Sequence, residues 1–214
     1  MKSLSILYTD NQIAVAVKPA GVVSQADESG RESMISLLKE KLGGEIFPVH
    51  RLDRETAGVM VFARTSKAAA VLSLAIQEKR FGKEYLAVLT ARPQHNEDLL
   101  EDLLFFDRSR GKVFPVKRVR RGVKDARLRY EFLEETDGLS LVRVFPETGR
   151  THQIRVQFAS RKMPLYGDRR YGGNGEALAL FCRSLSFSHP ESGETLSFSA
   201  KPAEQYPWTL FKAL

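Results

Sequence analysis

His50-Arg51-Leu52-Asp53-Arg54-Glu55-Thr56-Ala57-Gly58 runs directly into Val59-Met60-Val61-Phe62-Ala63, so a charged stretch feeds an apolar one. A continuous apolar run of about 4–8 residues describes a strand covered on both faces. The reading is a loop carrying Asp53, held by a rigid central strand, which is where binding and catalytic groups are usually built. Asp53 and Thr56 also fit as turn or cap residues, with the arginines as a solvated rim. The rest of the chain decides between the two.

On the N-terminal side, Ile6-Leu7-Tyr8 and Ile13-Ala14-Val15-Ala16-Val17 flank the turn pair Asp10-Asn11 and read as a hairpin, ended by Lys18-Pro19-Ala20-Gly21. Ser33 is placed as the N-cap of a helix carrying Ile35, Leu38 and Leu42 on one face and stopped by Gly43-Gly44. On the C-terminal side, Thr65 or Ser66 caps a second helix whose Ala69, Leu72 and Ile76 share a face, closing at Gly82. Lys83 to Leu89 follows as a strand with Tyr85 near its start, terminated by Pro93. Alternating apolar residues from Leu128 to Phe132 and from Leu139 to Phe145, joined by Asp137-Gly138, give a strand pair. In Thr148-Gly149-Arg150-Thr151-His152-Gln153-Ile154-Arg155-Val156-Gln157-Phe158, both a strand and a helix periodicity fit; the helix, with Thr151 as N-cap, is adopted. Strands are expected around Leu178–Phe181 and Leu196–Phe198.

Lys+Arg 33 against Asp+Glu 26 gives a formal net charge of +7 over 214 residues, and the pI of about 9.6 favours a polyanionic partner, nucleic acid first. The length suits one domain spanning residues 1–214, with a monomer as the default. Cys182 is the single cysteine, and no C-x-x-C or H-E-x-x-H spacing occurs, so a reducing cytoplasm, no disulfide and no metal are expected. The start Met1-Lys2-Ser3-Leu4-Ser5-Ile6-Leu7-Tyr8 has no signal-like apolar core, and no run approaches the roughly 20 apolar residues of a membrane span. Gly172-Gly173-Asn174-Gly175 lacks nucleotide-loop spacing, and no cofactor is expected.

Residues 107–129 form a basic tongue: Arg108, Arg110, Lys112, Lys117, Arg118, Arg120, Arg121, Lys124, Arg127 and Arg129 stand against only Asp107 and Asp125. This fits either a hairpin kept soluble by its charge or a surface that tracks phosphates, with Lys117, Arg118, Arg120 and Arg121 as its centre. Without a set of interleaved aromatics, it would position RNA rather than read its bases.

His50-Arg51-Leu52-Asp53 with Thr56 and Gly58, preceded by Lys18-Pro19-Ala20-Gly21 and followed by Lys83-x-Tyr85-x-Ala87, then by Thr148 to Arg155 and by Pro164-Leu165-Tyr166-Gly167-Asp168-x-x-Tyr171-Gly172, resembles the RluA-type pseudouridine synthases. The match runs from near residue 13 to Pro202. Ala57 stands where the family often has serine, Gln157 where histidine is common, and Phe181-Cys182 where Leu-His is frequent. Many relatives carry an extra N-terminal RNA-binding domain for which this length leaves no room, so a short, catalytic-domain-only member is expected.

The resemblance implies an α+β fold: a central mixed, largely antiparallel sheet flanked by helices and loops, with an RNA-binding cleft across the middle. It implies isomerisation of uridine in structured ribosomal or transfer RNA, by N1–C1′ cleavage, rotation of the base and rejoining through C5. Asp53 is then the essential carboxylate, either attacking C1′ or removing a ribose proton. Arg155 is implied as its ion-pair partner, which would keep it charged in a dry pocket. Tyr85 would stack on the uracil. Arg51 would fill the gap left by a flipped base or clamp a phosphate, with Arg54 and Arg150 on the same RNA surface. His50 and His152 read as structural supports of the two loops, His50 beside the bound RNA. Two rival readings are a binding-only RNA protein and a hydrolase with Glu55 or Asp168 as second carboxylate.

Overall fold

The computed structural model describes residues 4–26 and 32–214; Met1, Lys2 and Ser3, which open the stretch read for a signal, lie outside them. In chain order the elements are β1 (Ser5–Thr9), β2 (Ile13–Lys18), α1 (Met34–Leu42), β3 (Phe47–Pro48), β4 (Ala57–Ala63), α2 (Ser66–Gln77), β5 (Gly82–Leu89), β6 (Glu97–Asp107), β7 (Lys112–Val116), β8 (Val123–Thr136), β9 (Leu139–Pro146), α3 (Gln153–Ala159), β10 (Leu180–Ser188) and β11 (Thr195–Ser199), with a 3-10 turn at Trp208–Leu210. The fold is α+β, and the strand ladders are largely antiparallel. No helix among the described residues is long and apolar enough to cross a membrane.

Two compact units make up the chain, and the first comprises Met1–Lys83 with Cys182–Pro202. Its strands run in the order β1-β2-β4-β10, with β3 on β4 and β11 on β10. Asp10 builds the β1–β2 turn by accepting Gln12 N and Ile13 N at 2.7 and 2.8 Å. β4 pairs with β2 from Ile13↔Ala63 to Lys18↔Gly58 and is buried from Gly58 to Ala63, as its unbroken apolar run requires. α1 carries the expected Ser33 cap, closed reciprocally by Ser36, and Thr65 caps α2 through Ala68 N at 3.1 Å. The inward faces are shifted from the sequence reading. Met34 and Leu38 are the buried residues of α1, and Ala68, Leu72 and Ala75 those of α2; Ile35, Ala69 and Ile76 are only half-buried.

The second unit, Glu84–Phe181 with Ala203–Leu214, orders its strands β5-β9-β8-β6-β7. β6 went unread in the sequence. Its buried Leu100 and Leu104 are four apart, a spacing that suits one face of a strand as well as one face of a helix. Pairing with β8 from Glu97↔Glu131 to Phe105↔Val123 makes it a strand. The expected strand at Leu128–Phe132 extends in both directions into β8, and that expected around Leu178–Phe181 starts only at Leu180, as the longer β10. The ambiguous segment is helical, yet its cap is His152 rather than Thr151: His152 is left-handed at φ 51°, and no side chain caps the helix. Gln153, Ile154, Arg155, Val156, Gln157 and Phe158 are all buried on α3, so this short helix is surrounded rather than amphipathic.

Candidate active site

In the first unit, the loop bearing Asp53 is held from behind by backbone bonds to a neighbouring turn. The Ser24 hydroxyl donates to Leu52 O at 2.9 Å and accepts Leu52 N at 3.0 Å, fixing the residue before Asp53 at both of its polar groups. Arg54 O, one residue beyond, accepts Gly21 N at 2.9 Å and Lys18 Nζ at 2.9 Å. Thr56 N closes the turn on Asp53 O at 3.0 Å. Asp53 itself is half-buried and Arg51 exposed. Arg54 is exposed and paired with Glu55.

Lys18, quoted in the sequence only within the turn motif that ends β2, reaches this loop. It has 0% of its surface exposed, and its ammonium donates to Pro19 O at 3.0 Å, Val22 O at 2.6 Å and Arg54 O at 2.9 Å. An ammonium has three protons and here meets three carbonyls, so a buried charge is fully solvated by backbone. Burial nevertheless draws its pKa down to about 8, against the opposing pull of Glu55 and Asp53. The sequence signal was Lys18 at the end of an apolar strand, before Pro19 and Gly21.

His50 supports β4: its Nε2 accepts Val61 N at 3.2 Å, and its ring lies 5.7 Å from that of Phe81. Burial, then the charge of Lys83, depress its pKa to about 3, so the ring is neutral at working pH. Accepting at Nε2 puts the ring proton on Nδ1. Gly58, the second residue of β4, has φ 129°, and a β-carbon there would run into the Cys182 backbone, so only glycine lets β10 come this close.

In the second unit, Arg155 projects from α3 with 6% exposure and meets Asp168 with 1% exposure. The contact is bidentate, Nε to Oδ2 at 2.7 Å and a terminal nitrogen to Oδ1 at 2.8 Å. Asp168 is therefore engaged as the holder of Arg155, and Glu55, the other candidate for a second carboxylate, pairs with the exposed Arg54. Tyr85 is buried on β5 opposite Val144. Gln153, also unread as a site residue, accepts Thr148 Oγ1 at 2.7 Å and Arg150 N at 3.0 Å and donates to Arg127 O at 2.9 Å, tying the loop before α3 to β8.

The tongue is built from β7, the start of β8 and the loop between them. Lys117, Arg118, Arg120 and Arg121 are all exposed on that loop. Its charge is less unopposed than the sequence suggested, because β6 brings acids alongside: Arg127 pairs with Glu101 at 2.9 Å across the ladder. Arg150 binds Asp125 O at 2.8 Å and Asp125 Oδ1 at 3.3 Å. Aromatics also interleave after all. Arg120 lies 4.6 Å over the Phe105 ring, and Lys112 lies 5.8 Å over that of Phe114.

The family model described as RNA pseudouridylate synthase matches residues 12–160. A tRNA pseudouridine synthase C of Haemophilus influenzae is 30% identical over 95% of this chain and 95% of its own. The ribosomal large subunit pseudouridine synthase D of Neisseria meningitidis is 35% identical over 92% of this chain and 58% of its own. Among solved structures, human RNA pseudouridylate synthase domain containing 1 superposes with a TM-score of 0.79 at 24% identity, covering 94% of this chain and 84% of that one, a likeness of fold. Fold and matches together define an RNA-modifying isomerase. The chain belongs to the RNA pseudouridylate synthase family, in its RluA-type branch.

Proposed function

We propose that this protein acts in the cytoplasm as a monomer, both units serving one catalytic domain, and converts specific uridines of transfer or ribosomal RNA to pseudouridine with Asp53 as the essential carboxylate. The relatives named for tRNA and for the large ribosomal subunit support both RNA classes. The observation that carries the role of Asp53 is its loop: Leu52 and Arg54, on either side, are locked through their backbones by Ser24, Gly21 and Lys18. A carboxylate that must meet a reacting carbon within tenths of an ångström needs such a rigid base.

The reaction conserves atoms. The N1–C1′ bond breaks, uracil turns within the pocket, C5 bonds to C1′, the C5 proton leaves to solvent, and N1 takes up a proton from solvent. Asp53 either forms an ester with C1′ or takes a ribose proton, and both routes begin from the ionised carboxylate. Arg155 supplies the counter-charge, and Tyr85 stacks on the free base and keeps it in place. Arg51 occupies the helical gap or grips a phosphate, while Arg54, Arg150 and the tongue residues Lys117, Arg118, Arg120 and Arg121 hold the RNA backbone. His50 and His152 support their loops.

Asp53→Asn tests the reading. The wild type, mixed with C5-tritiated bulk RNA from cells lacking the gene, releases tritium. The folded variant binds the same RNA and releases none. Wild-type protein that releases no tritium from any RNA class would overturn the assignment, and free uracil among the products would point to a hydrolase.

A further inference from the structure

Tyr171 stands at a junction that the reaction outlined above does not use. One ring contact is with Arg155, whose guanidinium carbon is 5.3 Å from the ring centre, and another is with Lys112, whose Nζ is 5.2 Å away. Its hydroxyl accepts Val113 N at 2.9 Å and shares a 2.9 Å hydrogen bond with His152 Nδ1. The ring packs on the apolar cluster of Leu104, Val113, Ala126 and Val156, which joins the tongue strands to α3. Arg170, beside it, donates to Gly111 O. Residues 170 and 171 thus hold the backbone on both sides of Lys112, in the outermost strand of the unit.

Asp168 fixes Arg155 in the plane of its guanidinium, through two parallel bonds along one edge. The Tyr171 ring lies against the same guanidinium at 5.3 Å and bears on its orientation. The Val113 N–H points out of the β6–β7 ladder and would otherwise need water, so the Tyr171 hydroxyl is the link between the strand and the ring. Burial pushes the Tyr171 phenol upward, which keeps the hydroxyl protonated at neutral pH.

We propose that Tyr171 is a positioning residue that couples the tongue to Arg155, so that RNA seated on the tongue sets the attitude of the guanidinium. The inference rests on the reading of Arg155 as the counter-ion of Asp53. Tyr171→Phe keeps the ring beneath Arg155 and deletes the link. Val113→Pro deletes the same hydrogen bond from its other end, in an outer strand that already contains Pro115.

The test is single-turnover tritium release from C5-tritiated bulk RNA at saturating full-length enzyme. Each variant slows release by roughly fivefold, the loss one neutral hydrogen bond supports. The double variant is no slower than either single, and Tyr171→Phe adds nothing to Arg155→Lys. Wild-type rates in both single variants, or losses that multiply in the double, overturn the link while Arg155→Lys remains slow. Arg155→Lys turning over as fast as wild type overturns the counter-ion reading and the link with it. If Tyr171→Phe lacks a cooperative thermal transition, Val113→Pro alone and combined with Arg155→Lys gives the same comparison.

Discussion

Asp168 accepts both the Nε and a terminal nitrogen of Arg155, at 2.7 and 2.8 Å, with both side chains buried. Breaking one side of such a pair strands the other charge in a poor solvent, at a cost of about 3–5 kcal/mol. Asp168→Ala is therefore expected to lower the urea-unfolding free energy by that amount and to abolish tritium release. Asp168→Asn, which keeps the shape and one acceptor oxygen, loses less stability. Equal stability of Asp168→Ala and wild type would contradict the buried pair.

Lys18→Met removes the ammonium and keeps the apolar stem. The Pro19 and Val22 carbonyls lose their ammonium donor while Arg54 O keeps Gly21 N, and each buried unmet acceptor costs about 1–3 kcal/mol. Chemical denaturation should show a loss of about 2–6 kcal/mol at pH 7, with slower turnover because Arg54 O, beside Asp53, keeps only one of its two donors. Ser24→Ala makes a smaller version of the same change at Leu52.

His50 makes stability depend on acid. Its unfolded pKa is 6.5 and its folded value about 3, so between these the unfolded chain binds a proton that the native state refuses. Stability is full above pH 6.5 and falls as pH drops towards 3, with a slope of up to roughly 1.4 kcal/mol per pH unit from this group. His50→Gln flattens that slope in denaturation curves taken between pH 4 and 7. An unchanged slope would mean that His50 titrates normally.

Gly58→Ala imposes a β-carbon at φ 129° against the Cys182 backbone. Strain at such a backbone position alone costs about 1–3 kcal/mol, and the overlap adds to it. A melting temperature within a degree of wild type would show that β4 and β10 can move apart there.

Replacing Lys117, Arg118, Arg120 and Arg121 by glutamine should weaken RNA binding and flatten its dependence on salt. Each phosphate that the variant no longer neutralises reduces the log–log slope by about 0.7–0.9. Filter binding between 50 and 300 mM salt, on the order of the range where such slopes are measured, reads the change. A slope equal to wild type would leave the tongue as a solvated hairpin.

Much of the candidate site was legible because its residues are contiguous. Asp53 lies beside the apolar strand that carries it, and both caps of α1 and α2 obey local chemistry visible within four residues. Asp168 and Lys18 were read as motif residues but not for what they do. A buried ion pair between positions 155 and 168, or an ammonium reaching from residue 18 to the carbonyl of residue 54, is written in no periodicity. β6 went unread for a related reason: its leucine spacing fits both strand and helix, and only its long pairing with β8 separates them.

By itself the sequence determined the family, the loop-to-strand passage at Asp53, the helix starts and the positive balance of charge, since each depends on side chains close together in the chain or on their sum. The tertiary structure alone decided which distant groups meet. Glu101 takes Arg127 and Asp168 takes Arg155, while the Val113 N–H turns to Tyr171. Such choices follow from burial, where a charge or an N–H must find a partner brought near by folding.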